Sequence, residues 1–371
     1  MNTNRFITGD CREALQEIDL ASVDLIYLDP PFNSGRDWGG QFTDRWRKVA
    51  RERIVGSNRI GSVVTCADQS DDNKAMGSYI VYMSNRLNLM RPLLKAHGSI
   101  YLHCDTTAVH YLRLVMDIIF GKANHQAHIT WKRSRSHNHE LFSRMSDHIL
   151  WYGAGPDPVK NLEESIVAWT QDEVDAIFTQ TDHRGRYAFT RLMDRRIRKG
   201  DVSDPWRGIN PRELGKRWAL PREGIYARNI DKHIIPGYLK LETTQERLDA
   251  LDEAGMIGWQ RDGAPKLKRY HYPNQGILPS DMWTDIGMLG PGEHERTGYP
   301  TQKPTKLLNR IIKASSHEGD VVLDPFCGSG TTCVAAQTLL RRWIGIDINA
   351  EAIKVAQKRI KGITLPLFPH R

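Results

Sequence analysis

The apolar run Leu25-Ile26-Tyr27-Leu28 stops at Asp29-Pro30-Pro31-Phe32. The run reads as a short buried strand. Two successive prolines cannot continue it, because neither supplies a ladder N–H and both fix φ. The Asp29 carboxylate is thereby held at a strand's carboxyl end, which is where open α/β sheets bind ligands. The Pro30 carbonyl is left without a ladder partner, and the Phe32 ring stands beside it. Two acceptors and an aromatic face suit a planar ring bearing an exocyclic NH2, such as adenine or cytosine. A solvated turn after a core strand would use the same four residues, so the tetrapeptide needs a second signal.

That signal lies near the other end of the chain. Val321-Val322-Leu323-Asp324 reads as a strand, residues 325–330 as a turn containing Gly328-Ser329-Gly330, and 331–340 as a helix. Residues 343–347 form the next strand, ending at Asp347. In a nucleoside site of this type the glycines let backbone approach the ligand, and the acid takes the ribose hydroxyls. Cys333 stands where a dinucleotide fingerprint has its third glycine, and no lysine follows the glycines as a phosphate loop requires. An adenosine cofactor without pyrophosphate fits better, and S-adenosylmethionine is one. A tight βα turn with a capping Asp is the plainer alternative. Together the two sites offer a seat for a base amine and a seat for a methyl donor.

The 371 residues suffice for one large domain or two average ones. A net charge of +8 favours an acidic partner, most often nucleic acid. Five scattered cysteines with no Cys-x-x-Cys pair point to a reducing compartment. The first residues are polar, and no apolar run is long enough for a membrane, so the expected location is cytoplasmic. His137 and His139 lie in a polar connection without a cysteine nearby, so no metal site is expected.

Along the chain, 5–9 reads as an edge strand and 11–18 as a helix. Residues 33–77, rich in glycine and arginine, read as one long polar loop. An amphipathic helix is expected over 79–95, kinked by Pro92 and stopped at Gly98. Residues 99–103 form a strand, and Asp105 caps a helix over 106–120. Residues 127–131 and 147–152 suit an antiparallel pair joined by a basic connection. From 153 to 280 the texture becomes irregular, with interspersed arginines and tryptophans, and a helix is expected over 242–253. Most of the tryptophans should be core and most of the arginines should face a partner. Gln302-Lys303-Pro304 opens a helix whose inner face is Leu307, Leu308, Ile311 and Ile312. Asn349 caps the last helix, 350–360.

Asp29-Pro30-Pro31-Phe32 resembles the D-P-P-[YF] motif of the amino-group (exocyclic) DNA methyltransferases, and 324–332 resembles their F-x-G-x-G cofactor motif. Gln302-Lys303-Pro304 matches the segment preceding that motif, and Trp131-Lys132-Arg133 with 142–152 resembles the strands after the catalytic half. Catalytic motif first and cofactor motif last is the β-type permutation of the family. The resemblance covers roughly 1–152 and 281–371 and leaves the middle as the expected target-recognition insertion. It implies an α/β fold: one mainly parallel sheet with helices on both faces, an antiparallel hairpin at one edge, and an irregular insertion over 153–280. Asp29 and Asp324 must then end neighbouring parallel strands, so that base and methyl donor meet.

The resemblance implies transfer of methyl from S-adenosylmethionine to the N6 amine of an adenine flipped out of duplex DNA. Asp29, Pro30, Pro31 and Phe32 are the catalytic residues. Asp324, Phe326, Gly328, Gly330, Thr331 and Asp347, with Lys303 and Thr305, are the cofactor residues, and 102–105 borders them. Arg133, Arg135, Arg195, Arg196, Arg198, Lys199 and Arg207 are the expected DNA contacts. N4-cytosine methylation by the same chemistry is the nearest alternative, and in this family Asp at the first motif position leans towards adenine. A silent DNA-binding protein of the same fold, or an RNA or protein acceptor, is further off. C5-cytosine chemistry needs a Pro-Cys nucleophile, and no cysteine here follows a proline. A homodimer and a paired restriction enzyme are the partners the family brings with it.

Overall fold

The computed structural model describes residues 2–31, 58–70, 75–134, 142–195, 201–261, 263–273 and 275–363. The chain divides into two compact units, one formed by Met1–Ser165 with Pro279–Arg371 and the other by Ile166–Leu278.

The first unit is built on an eight-stranded sheet. Its strands are β1 (Arg5–Thr8), β2 (Val23–Leu28), β3 (Leu94–Cys104), β4 (His125–Lys132), β5 (Ser146–Gly153), β6 (Met282–Trp283), β7 (Val321–Asp324) and β8 (Arg342–Asp347). The spatial order is β1-β8-β7-β2-β3-β5-β4-β6. Pairing is parallel from β1 through β3, antiparallel at β3–β5 and β5–β4, and parallel again at β4–β6. The expected hairpin is therefore present, with the two-residue β6 laid outside it.

Every residue of β2 is buried. This is the burial that a strand covered by helices on both faces requires, and it explains the near-continuous apolar run. Ile26 and Leu28 enter one core with Tyr79, Met83 and Leu87. Leu25 and Tyr27 enter the other, with Leu307, Leu308, Ile311 and Ile312. The pairing Leu25↔Val322 and Ile26↔Leu323 sets β2 beside β7. Asp29 and Asp324 thus end neighbouring parallel strands. At the opposite end of the sheet buried Asp24 accepts from Lys95 Nζ at 2.8 Å and from the Val321 N–H at 2.9 Å, which ties β2, β3 and β7 together.

Among the described residues the helices of this unit are α1 (Cys11–Ala14), α2 (Asn58–Ser70), α3 (Ala75–Met90), α4 (Val109–Met116), α5 (Thr305–Ser315), α6 (Thr331–Thr338) and α7 (Ala350–Lys361). Two expectations are corrected. Residues 33–77 are not one loop: 58–70 is helical, with Ile60, Val63 and Ala67 buried at helical spacing. Gly98 does not stop a helix, because α3 ends at Met90 and Pro92 lies in a short 3-10 turn that leads directly into β3. A Cβ at Gly98 would sit 3.0 Å from the Lys95 carbonyl and 3.1 Å from that of Asp24, so the glycine serves close strand packing. Residues 32–57 and 71–74 of the expected loop lie outside the described residues. No helix among the described residues is long and apolar enough to cross a membrane.

The second unit carries a four-stranded antiparallel sheet of Gln180–Asp182, Gly185–Arg191, Ile257–Trp259 and Pro265–Tyr270. Its core holds Trp206 and Trp218, whereas Trp259 is exposed. The helix expected over 242–253 runs Thr244–Glu253, with a capping box between Thr243 and Glu246. The composition change after Tyr152 runs ahead of the unit boundary. Residues 154–161 still bond to the first unit, Ala154 N–H to the Gly98 carbonyl at 2.8 Å and Asn161 N–H to that of Ala314 at 2.7 Å.

Candidate active site

A cavity of about 860 Å³ opens at the carboxyl ends of β2, β7 and β8. Asp29, Pro30 and Pro31 line one part of it, and Asp324, Phe326, Gly328, Thr331 and Asp347 another. Tyr27, Tyr82, Tyr299 and Lys303 also line it. A volume of this size is in the range of cofactor sites.

Asp29 is largely buried, and its Oδ2 accepts from Lys303 Nζ. Its other oxygen, Oδ1, is buried without a hydrogen-bond partner. A buried carboxylate oxygen left open is costly unless a ligand takes it. Lys303, expected in the cofactor cradle, lines the same cavity and is the counter-ion of Asp29.

The cradle is shaped by the chain after β7. Asp324 is buried and accepts from the Phe326 N–H at 3.0 Å and from the Thr332 hydroxyl, which fixes the turn. Gly328 has φ +50 and Gly330 φ +78, a region that favours glycine. A Cβ on Gly328 would meet the Tyr299 ring at 3.2 Å, inside the cavity wall. Asp347 accepts from the Gly328 N–H and the Asn349 N–H, each at 2.8 Å, and keeps a second lone pair on each oxygen. Arg359 donates to the Ser329 carbonyl and the Thr331 hydroxyl, both at 2.9 Å, and fastens the turn to α7.

Two expected cofactor residues do not line the cavity. Thr305 caps α5 by giving its N–H and hydroxyl to Glu295. Gly330 packs against Ala356, where an added Cβ would lie at 2.6 Å. Nor does 102–105 border it: Leu102 and Cys104 are core, and Asp105 accepts from the Ala108 N–H at 3.0 Å. Phe32, Arg135, Arg196, Arg198 and Lys199 lie outside the described residues. Arg133 pairs with Asp147 at 3.2 Å and Arg207 with Asp252 at 2.6 Å, while Arg195 is exposed. Tyr27, missed as a site residue, follows from strand alternation, since residues two apart share a face. Nothing in the sequence pattern marks Tyr299.

A DNA methylase family model matches residues 23–358, which takes in both motif-bearing ends of the first unit and the second unit between them. The chain belongs to the DNA methylase family. The type II methyltransferase M.EcaI of Enterobacter cloacae is 31% identical over 362 residues, covering 96% of this chain and 69% of that protein. The StyLTI Mod subunit of a type III restriction-modification enzyme from Salmonella typhimurium is 26% identical over 353 residues, covering 91% and 50%. A provisionally assigned DNA modification methylase of Thermus thermophilus, solved with S-adenosylmethionine, covers 99% of each chain at 16% identity and a TM-score of 0.44. The methylase family takes its methyl group from S-adenosylmethionine.

The methylase's cradle is tuned by burial. Burial is the main cause that pushes the Asp324 carboxyl up to about 7, against the Thr332 and Phe326 bonds, and the Asp29 and Asp347 charges add to it. Burial likewise raises Asp347, and it raises the Tyr299 phenol to about 12. Burial also pushes the Cys327 thiol well up, which suits packing and not nucleophilic chemistry.

For Asp324 the folded value exceeds the unfolded one. Its stabilising contribution is therefore fully present below 3.8 and lost as pH rises through about 7. The wild type should lose roughly 2–4 kcal/mol across that window relative to Asp324→Asn. Thermal unfolding at about pH 5 and about pH 8 checks this. Identical pH slopes for the two proteins would exclude it.

Proposed function

We propose that this methylase transfers a methyl group to the N6 amine of an adenine turned out of duplex DNA. The observation that supports it most is the open Asp29 Oδ1 in the cavity shared with the Asp324–Asp347 cradle. Asp29 Oδ1 accepts one amine N–H and the Pro30 carbonyl accepts the other. This pulls the nitrogen lone pair out of conjugation with the ring and aims it towards the cradle. The adjoining Phe32 supplies a stacking face, worth about 1–3 kcal/mol. Lys303 holds the carboxylate in place while the base enters. Asp347 and the Gly328 turn would hold S-adenosylmethionine, and the room kept by Gly328 at Tyr299 fits an adenosine ligand. When bound, that cofactor supplies an electrophilic methyl group. Holding amine and cradle in one cavity provides much of the rate.

The Asp at the first motif position supports adenine over cytosine. Arg133, Arg195 and Arg207, with Arg135, Arg196, Arg198 and Lys199, are assigned to phosphates, which at Arg133 and Arg207 would compete with Asp147 and Asp252. A cognate restriction endonuclease and a second copy of the chain are the partners to test with this reading. The deciding experiment uses radiolabelled S-adenosylmethionine, mixed duplex DNA and digestion to nucleosides. Label in N6-methyladenine is expected. Label in N4-methylcytosine would overturn the base, and no label would overturn the activity.

A further inference from the structure

The described residues 284–304, between β6 and α5, form no helix or strand, and loops of that length in a compact unit are usually functional. This loop is held by its own side chains. Gln302 is 7% exposed. Its Oε1 accepts from the Thr297 N–H at 2.8 Å and from the Thr297 hydroxyl at 2.7 Å. Its Nε2 donates to the Glu295 carbonyl at 2.6 Å. Its backbone N–H donates to the Tyr299 carbonyl at 3.3 Å. The mechanism above uses none of these bonds.

The donors and acceptors leave one arrangement. A backbone N–H only donates and a backbone carbonyl only accepts, so the amide oxygen of Gln302 faces Thr297 and its NH2 faces Glu295. The Thr297 hydroxyl gives its hydrogen to that oxygen and keeps lone pairs for the Tyr299 N–H, 3.3 Å away. Gln302 thus grips the backbone at Glu295 and Thr297 and, through that hydroxyl, at Tyr299. The Glu295 carboxylate accepts from the Thr305 N–H at 3.0 Å, which ties the start of the loop to α5. The Tyr299 ring lines the cavity, and its edge lies 3.2 Å from where a Gly328 Cβ would stand. The loop so held sets an aromatic wall against the turn that shapes the cradle.

We propose that the Tyr299 ring is a contact wall for the cofactor, and that Gln302 and Thr297 are positioning residues that fix it there. This rests on the reading that the cradle holds S-adenosylmethionine. A wall fixed before the ligand arrives avoids the entropy of ordering a loop and a side chain on binding. The contact is made by the ring, so the phenol oxygen is dispensable. Loss of the amide or of the Thr297 hydroxyl therefore acts on cofactor affinity, and acts only through Tyr299.

Calorimetric titration of the full chain with S-adenosylmethionine, without DNA, tests it. Tyr299→Ala should weaken binding about tenfold, and Tyr299→Phe should restore most of that loss. Gln302→Glu keeps the shape but sets an acceptor against the Glu295 carbonyl, and should weaken binding about fivefold. Added to Tyr299→Ala it should cost less than about twofold more, because the wall it positions is gone. Thr297→Val, at an exposed site, removes only the hydroxyl and should show the same pattern at about threefold. It carries the test if the melting curve shows Gln302→Glu to be unfolded. A Tyr299→Ala protein with wild-type affinity would overturn the proposal. So would losses from Gln302→Glu or Thr297→Val that are equal with and without the Tyr299 ring, the mark of a residue that only holds the fold. A wild type that binds no S-adenosylmethionine would overturn the cofactor reading and this proposal with it, a result distinct from any pattern among the variants of a binding wild type.

Discussion

Asp29→Ala is expected to lower methyl transfer at least about 10³-fold while leaving S-adenosylmethionine affinity within about twofold. The asymmetry follows from the geometry. The cradle is made by β7, β8 and the turn between Asp324 and α6, and its hydrogen bonds involve Thr332, Phe326, Gly328 and Asn349. None of those bonds uses Asp29. What Asp29 contributes is one open acceptor oxygen and a partner for Lys303. Alanine removes the acceptor and takes an anionic partner from a nearly buried ammonium, so some loss of stability is expected as well. Asp29→Asn separates these effects. Its carbonyl can accept one N–H, but it carries no charge to hold Lys303, so it should retain more activity than alanine and still fall well below the wild type. Isothermal titration with cofactor, a melting curve and a single-turnover assay distinguish lost chemistry from lost fold. Full transfer by Asp29→Ala would sink the mechanism, since the amine would then be oriented without the carboxylate.

The parts of this site legible in the sequence were those set by strand endings. Asp29, Asp324 and Asp347 each follow an apolar run, and a run of that kind in a parallel sheet points its last side chain at the ligand crevice. Parallel pairing of β2 with β7 was legible for a related reason: the two motifs lie at opposite ends of the chain and have to meet. What escaped were partnerships across the fold. Lys303 lies 274 residues from Asp29, and no periodicity links a lysine ahead of one helix to an acid after another strand. Thr305 suited the cradle by position, but Glu295 captured it for a helix cap, a contact that depends on the path of the loop between them. Helix α2 was hidden by its polar composition: only one narrow face, at Ile60, Val63 and Ala67, is apolar. Gly98 read as a helix stop because glycine serves both helix ends and crowded strands, and only the neighbouring carbonyls distinguish them.

The two glycines of the cofactor turn should fail in different ways when each is replaced by alanine. Both have positive φ, so both substitutions cost about 1–2 kcal/mol of backbone strain. At Gly330 the new Cβ would lie 2.6 Å from the Ala356 Cβ and 3.2 Å from the Ala356 Cα. Those atoms belong to α7, so the helix itself must move. Overpacking of that kind adds about 1–3 kcal/mol. Gly330→Ala should therefore destabilise the protein by roughly 2–5 kcal/mol, seen as a lowered melting temperature before any ligand is added. At Gly328 the nearest atom is the edge of the Tyr299 ring at 3.2 Å, and that ring can yield into the cavity. The crowding is then displaced into the cavity, where the proposed function seats the cofactor. Gly328→Ala should melt within about 2 kcal/mol of the wild type and bind S-adenosylmethionine at least about tenfold more weakly. The reverse pattern, with a stable Gly330→Ala and a Gly328→Ala that binds normally, would mean that Gly330 and not Gly328 faces the ligand. The cradle would then have to be redrawn around α7.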